Sequence, residues 1–213
     1  TSEGEKMSKS TGNVVVPDEV LAKFDGNPDP IRFYLSHEIP VGNDGDFSWD
    51  RFEKLYDAKL RNELGNLLNR VLVMLQKEEG ELQTGSENVL LGDTWEKYQK
   101  AMDAFDLSEG IGYAFVLAGQ CNKYMDDKKP WKEDQETKIA LLSTLSECLR
   151  HIALMLLPFT PDTAQRISLQ LGVPYADRML DTDFVITEEM RQFGGQKDWK
   201  KVGEPSILFA PLS

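Results

Sequence analysis

The sequence predicts a mainly α-helical protein, an α-helical bundle of about five main helices preceded by a small α/β connector. Two observations lead there. Over residues 49–76 the apolar side chains, from Trp49 and Phe52 through Leu60 and Leu64 to Leu72 and Leu75, recur in steps of three and four. That is the period of one helix face and not of a strand. At 1.5 Å per residue such a helix runs roughly 40 Å, the length of a central rod. The segments 94–105, 108–127, 137–157 and 161–171 then repeat the helical period with short connections, so each packs beside its chain neighbour.

Taken in order, Val14 to Val16 opens with β-branched residues, and a short strand is expected over residues 13–16. Pro17 suits the first turn of a helix to about Lys23. Asp25-Gly26-Asn27-Pro28 reads as a turn, after which Asp29 is expected to cap a second helix with Pro30 at its first position. A further turn, Gly42-Asn43-Asp44-Gly45, leads to the long helix, with Asp46 or Ser48 as its cap and Lys77-Glu78-Glu79-Gly80 as its end. Residues 78–93 form a polar loop. Asp93 and Ser108 are expected to cap the next two helices, with Gly112 and Gly119 allowing close packing. Pro130 stops the second of these. Residues 137–157 read as a core helix, and Thr160 as the cap of a short helix that Gly172 closes. The division is into 1–47 (loop and connector), 48–193 (helical bundle, with a short last helix to Phe193) and 194–213, an extended tail packing back on the bundle.

Composition narrows the function classes. The chain of 213 residues can bury a real core, and 40% hydrophobic residues is ordinary for a globular protein. A formal charge of −12 argues against non-specific coating of DNA or RNA, but allows recognition by a few cationic groups on one face. No apolar run is expected to reach membrane-spanning length and no secretory signal opens the chain, so no membrane partner is expected. Cys121 and Cys148 lack partners at metal-ligand spacing and read as buried reduced thiols, in keeping with the cytosol. His37 and His151 read as lone histidines, without the carboxylate or thiol neighbours of a metal site or a triad. Thr1 opens the chain where a methionine would stand, which suggests a piece of something longer.

Three groups of residues carry candidate chemistry. Lys6 and Lys9, in Lys6-Met7-Ser8-Lys9-Ser10, make a cationic loop with hydroxyls and a following glycine, suited to a polyphosphate; a solvated terminus fits the composition as well. Asn66 and Arg70 stand four residues apart, on one side of the long helix. An amide and a guanidinium can read base edges or phosphates. By spacing alone, a polar flank and a surface ion pair are the more ordinary reading of them. Trp131 follows a helix-ending proline beside Lys128, Lys129 and Lys132, a stacking platform for an unpaired base or else a plug of the bundle end.

The pentapeptide Lys-Met-Ser-Lys-Ser at residues 6–10 is identical to the second signature of the class I aminoacyl-tRNA synthetases. The strings at residues 29–35, 38–40 and 44–48, then Leu64-Gly65-Asn66-Leu67-Leu68-Asn69-Arg70, Asn122-Lys123-Tyr124 with Pro130-Trp131, and Pro158-Phe159-Thr160-Pro161, resemble the methionyl-tRNA synthetase family. The chain departs from its usual pattern in Val16, where an aspartate is usual, and in a longer turn at residues 25–28. The resemblance implies an anticodon-binding helical bundle after a connector that contacts the inner side of the tRNA. It implies that Lys6 and Lys9 face the phosphates of ATP, used with Mg2+ by the parent enzyme, methionine-tRNA ligase. It also implies that Asn66 and Arg70 contact the CAU anticodon of methionine tRNA while Trp131 stacks on one of its bases. The family's other signature, which lies upstream in an ATP-binding domain, is absent. The chain alone is therefore expected to be inactive, with methionine tRNA and its own upstream catalytic domain as partners. An anticodon domain of an isoleucine, valine or leucine enzyme and a non-enzymatic helical adaptor are the alternatives.

Overall fold

The computed structural model describes residues 1, 2, 4, 14–42, 44–78, 82, 88 and 90–212. Among these the architecture is helical, and the only bridge is an isolated parallel pair, Ser2 with Phe47. The connector is thus helical where it is described: residues 14–16 form no strand, and α1 (Pro17–Ala22) and α2 (Asp29–Glu38) follow directly. An aromatic cluster joins it to the bundle. Phe24 lies 5.3 Å from Phe52 and 5.0 Å from Tyr56, and Tyr34 lies 5.2 Å from Phe47, all between ring centroids.

The rod is one continuous run from Trp49 to Lys77, but it is not one kind of helix. α3 (Trp49–Leu55) widens into a π-helix, Tyr56–Gly65, which returns to α geometry as α4 (Asn66–Lys77). The mark of the wide turn is the Asn66 N–H donating to the carbonyl of Arg61, five residues back. The apolar spacing explains it. Phe52, Tyr56, Leu60 and Leu64 are all buried and follow each other by fours. In an α-helix each such step would rotate the side chain by about 40° off the core face. A turn bonded to the fifth residue takes more than four residues, so it keeps a spacing of four nearly in line.

Around the rod pack α5 (Thr94–Asp103), α6 (Leu107–Lys128), α7 (Gln135–Leu156) and α8 (Pro161–Leu171), with a last turn α9 (Glu188–Arg191) just before the tail. Contrary to the expected lack of such a run, α7 holds an 18-residue window apolar enough to cross a membrane, but 83% of it is buried in the bundle. It is the core helix, buried at every position from Leu142 to Leu156.

Several caps differ from those expected, some because a tertiary partner takes the side chain and some because a residue two positions earlier bonds the first turn. Ser48 stands at the N-cap of α3 without a side-chain bond, and Asp46 instead accepts from the Thr1 hydroxyl and the Gly4 N–H. Pro28, not Asp29, stands at the N-cap of α2, and the Asn27 side chain just before it accepts from the Asp29 N–H at 2.9 Å. The Asp29 carboxylate is buried and accepts from the Thr163 N–H in the first turn of α8, a cap delivered across the fold in place of the Thr160 side chain. Burial pushes this carboxyl up, against the lowering effect of its bonds to Thr163. Asp93 makes no side-chain cap on α5. Asp106, not Ser108, caps α6, and the Ser108 hydroxyl donates to the His37 carbonyl. Gly119 does approach the rod, at the Glu63 carboxylate, whereas Gly112 faces open space and Gly110 is the tight position, against Met102.

Neither histidine lacks a carboxylate neighbour. His37 lies 2.9 Å from Glu38, and His151 is buried 3.6 Å from Glu147. Glu147 holds the fully buried Arg150 through two bonds of 2.8 and 2.7 Å. Arg150 also donates to the Tyr175 hydroxyl and to the carbonyls of Met190 and Gln192, and Glu147 accepts from the Gly194 N–H. This network straps residues 190–194 to α7.

Candidate nucleic-acid interface

Three sequence elements build one exposed corner. Asn66 and Arg70 are the first and fifth residues of α4, so they share a side of it, one turn apart. The face of α4 opposite them is apolar and buried: Leu67, Leu68, Val71, Leu72 and Leu75. That burial forces the two polar residues outward. Asn66 is exposed and, among the described residues, its amide makes no hydrogen bond, so its donor and acceptor edge is available.

The other side of the corner is the α6–α7 turn. α6 ends at Lys129 in the left-handed conformation, φ 50°, and Pro130–Lys132 forms a single 3-10 turn. Asp134 then caps α7, accepting from the Thr137 N–H, and that bond with the Thr137 hydroxyl holds its carboxyl below the usual range. Clamped between two capped helices, Pro130 is buried and Trp131 stands out, 48% exposed. The indole is not a plug of the bundle end.

Arg70 joins the two sides. Its guanidinium lies 5.8 Å from the centroid of the Trp131 ring, within cation–π range, and its Nη2 donates to Asp126 Oδ1 at 2.8 Å. One turn earlier on α6, the Asn122 amide donates to the Glu63 carbonyl at 3.0 Å. That carbonyl belongs to the π-helix, where the change of bonding pattern leaves acceptors open to outside donors. The two contacts fix how α4 sits against α6. Lys128 turns over the Tyr124 ring at 5.9 Å, and Lys132 follows Trp131 on the same turn. On a chain of charge −12 this corner sets Arg70, Lys128, Lys129 and Lys132 beside an exposed aromatic face, with Asp126, Asp127, Glu133 and Asp134 among them.

Arg70 and Trp131 are thus brought together at cation–π distance, and Asn66 lies one turn along α4 from Arg70. Lys6 and Lys9 lie outside the described residues. Sequence reasoning missed Asp126 as the partner of Arg70; the available signal was the spacing of four between Asn122 and Asp126, which mirrors that of Asn66 and Arg70. No group of His, Cys, Asp or Glu among the described residues could hold a metal ion.

The helical bundle belongs to the class of anticodon-binding domains of tRNA ligases: residues 90–203 match the family described in those words. Residues 1–72 match the class I tRNA synthetases of the methionine type. The chain belongs to the methionyl-tRNA synthetase family. It is 35% identical over 221 aligned positions to methionine-tRNA ligase of Clostridium tetani, covering 97% of this chain and 33% of the relative. It is 36% identical to the chloroplastic and mitochondrial methionine-tRNA ligase of Arabidopsis thaliana, covering 100% and 36%. The fold is similar to Mycobacterium tuberculosis methionyl-tRNA synthetase in complex with methionyl-adenylate, with TM-score 0.76, 26% identity, and coverage of 98% of this chain and 42% of that one. The chain spans about a third of the length of the curated relatives it matches.

Proposed function

We propose that this chain is the tRNA-recognising part of a methionine-tRNA ligase and that its corner at Asn66, Arg70 and Trp131 binds the CAU anticodon of methionine tRNA. The observation that carries the reading is the contact between the Arg70 guanidinium and the half-exposed Trp131 ring. Unpaired bases are recognised by stacking on aromatic faces and by hydrogen bonds to their free edges, and this corner offers both. Trp131 would stack on one base, and Arg70 and Asn66 would bond the edges of its neighbours. Residues 1–47 would be the connector along the inner side of the tRNA, residues 48–193 the recognising bundle and residues 194–213 a strap.

The parent enzyme would join methionine to tRNA using ATP with Mg2+. In it Lys6 and Lys9 would meet the ATP phosphates, supplied to an upstream catalytic domain of the same polypeptide, and the protein would work in the cytosol. The chain by itself would bind tRNA without charging it. The test is affinity for an anticodon hairpin. Trp131→Ala is expected to weaken binding of a CAU hairpin by about 1–3 kcal/mol, the worth of one base–aromatic stack. Unchanged affinity, or an equal preference for GAU or GAC loops, would overturn the assignment.

A further inference from the structure

The π-helix stands directly upstream of Asn66, and the C-terminal tail touches both of its ends. The Tyr56 hydroxyl, at its first residue, donates to the Ala210 carbonyl at 2.7 Å, and the Tyr56 and Phe209 rings meet edge to face at 5.9 Å. At its last residue, a Cβ on Gly65 would stand 3.5 Å from the Phe209 ring and 3.2 Å from the carbonyl of Leu60. Phe209 is buried between them, only 5% exposed. The tail is itself anchored on α8. Arg166 donates to the carbonyls of Leu208 and Ile207 at 3.0 and 2.7 Å, and Gln170 accepts from the Ser206 N–H at 2.7 Å.

We infer that Phe209 and Gly65 are positioning residues for the Asn66–Arg70 face: the tail wedges against the π-helix and thereby sets the rotation of α4 about its axis. A wide turn bonded to the fifth residue rotates everything after it relative to a plain α-helix. Whatever holds the wide turn therefore holds the direction in which Asn66 and Arg70 point. Phe209 packs at both ends of that turn; a Cβ on residue 65 would rest in ordinary contact with its ring and press on the Leu60 carbonyl of the wide turn itself. This rests on the reading of Asn66 and Arg70 as anticodon contacts. The consequence is that movement of the tail is felt at the anticodon corner without any tail atom touching RNA.

The test measures binding of a CAU hairpin RNA to the wild-type protein and to Gly65→Ala, Phe209→Ala and Trp131→Ala, with thermal unfolding alongside. Gly65→Ala raises intrinsic helix propensity, so a merely structural role leaves both stability and affinity unharmed. Positioning predicts at least fivefold weaker binding by Gly65→Ala with no fall in its melting temperature, and a similar loss in the folded fraction of Phe209→Ala. The inference is overturned when Trp131→Ala loses affinity while Gly65→Ala binds within twofold of wild type. Should Trp131→Ala bind as wild type does, the anticodon reading itself fails. The crystal structure of Gly65→Ala then decides: displacement of Arg70 from Asp126 is the expected result, and an unchanged Arg70 sinks the inference.

Discussion

Arg70 shows how one side chain is prepared for two partners. Its charge is shared with Asp126 and its plane faces Trp131, so the guanidinium is oriented while remaining 37% exposed. A lysine would keep the charge but lose the planar fork. Arg70→Lys is therefore expected to cost about 1–3 kcal/mol of discrimination between a CAU hairpin and a loop with one base changed, the worth of a lost two-bond contact, in competition binding. Glu147 is the opposite case, a charge that serves the fold. Burial raises its carboxyl, but the bonds from Arg150 and His151 outweigh this and bring it to about 2, from an ordinary 4.5. A carboxyl lowered on folding adds stability above its unfolded value and loses it as the pH falls toward the folded one. The strap is thus expected to lose about 3 kcal/mol between pH 4.5 and pH 2, read as a falling urea midpoint. Glu147→Gln should flatten that limb while lowering stability at pH 7 by about 3–5 kcal/mol, because Arg150 stays buried without its partner.

At the scale of elements, helix ends are where distant parts of the chain meet. α8 begins on the Asp29 carboxylate from the connector and ends on Gly172, whose φ of 76° closes the helix in the left-handed region. The Gly172 carbonyl then accepts from the Lys200 N–H at 2.8 Å, and the Lys200 carbonyl lies where a Cβ on residue 172 would stand. Gly172→Ala combines left-handed strain with that clash, and a loss of about 1–3 kcal/mol is expected in thermal or urea unfolding. The rod teaches the related lesson for the long helix. Its apolar spacing by fours between Phe52 and Leu64 is readable in the sequence as a departure from 3.6, and the packing of Tyr56 on the tail and Asn122 on Glu63 adds contacts to the wide turn that the spacing favours.

The whole molecule is acidic, and its candidate interface is mixed, with Asp126, Asp127, Glu133 and Asp134 set among its cations. With Arg70, Lys128, Lys129 and Lys132 as the cations at the corner, at most about four phosphates would be neutralised. The logarithm of hairpin affinity should then fall with the logarithm of salt concentration with a slope no steeper than about −3. A steeper slope measured by titration at several salt concentrations would mean that RNA spreads over other faces. The same acidity elsewhere would disfavour such spreading, which turns the net charge of −12 from an argument against RNA into a filter on where RNA sits.

Helix number, helix order and the family were legible in the chain because periodic burial and short signature strings are local properties. Residues 49–77, 94–103, 107–128, 135–156 and 161–171 are the elements that the apolar steps mark out. Gly172 as the end of α8 and Pro17 in the first turn of α1 were legible, but the side-chain N-caps were not. Asp29, Asp46, Ser48, Ser108 and Thr160 have capping chemistry, but which amide a carboxylate or hydroxyl meets depends on elements brought near from far along the chain. Asn66, Arg70 and Trp131 stood out by residue type and spacing. Their arrangement around Arg70, with Asp126 and the indole on one guanidinium, is a product of how α4 is rotated against α6. Local sequence determined which residues face water and which face the core; only the packed tertiary structure decided which of the outward ones face each other, because that depends on the rotation of whole helices and not on the period of any one of them.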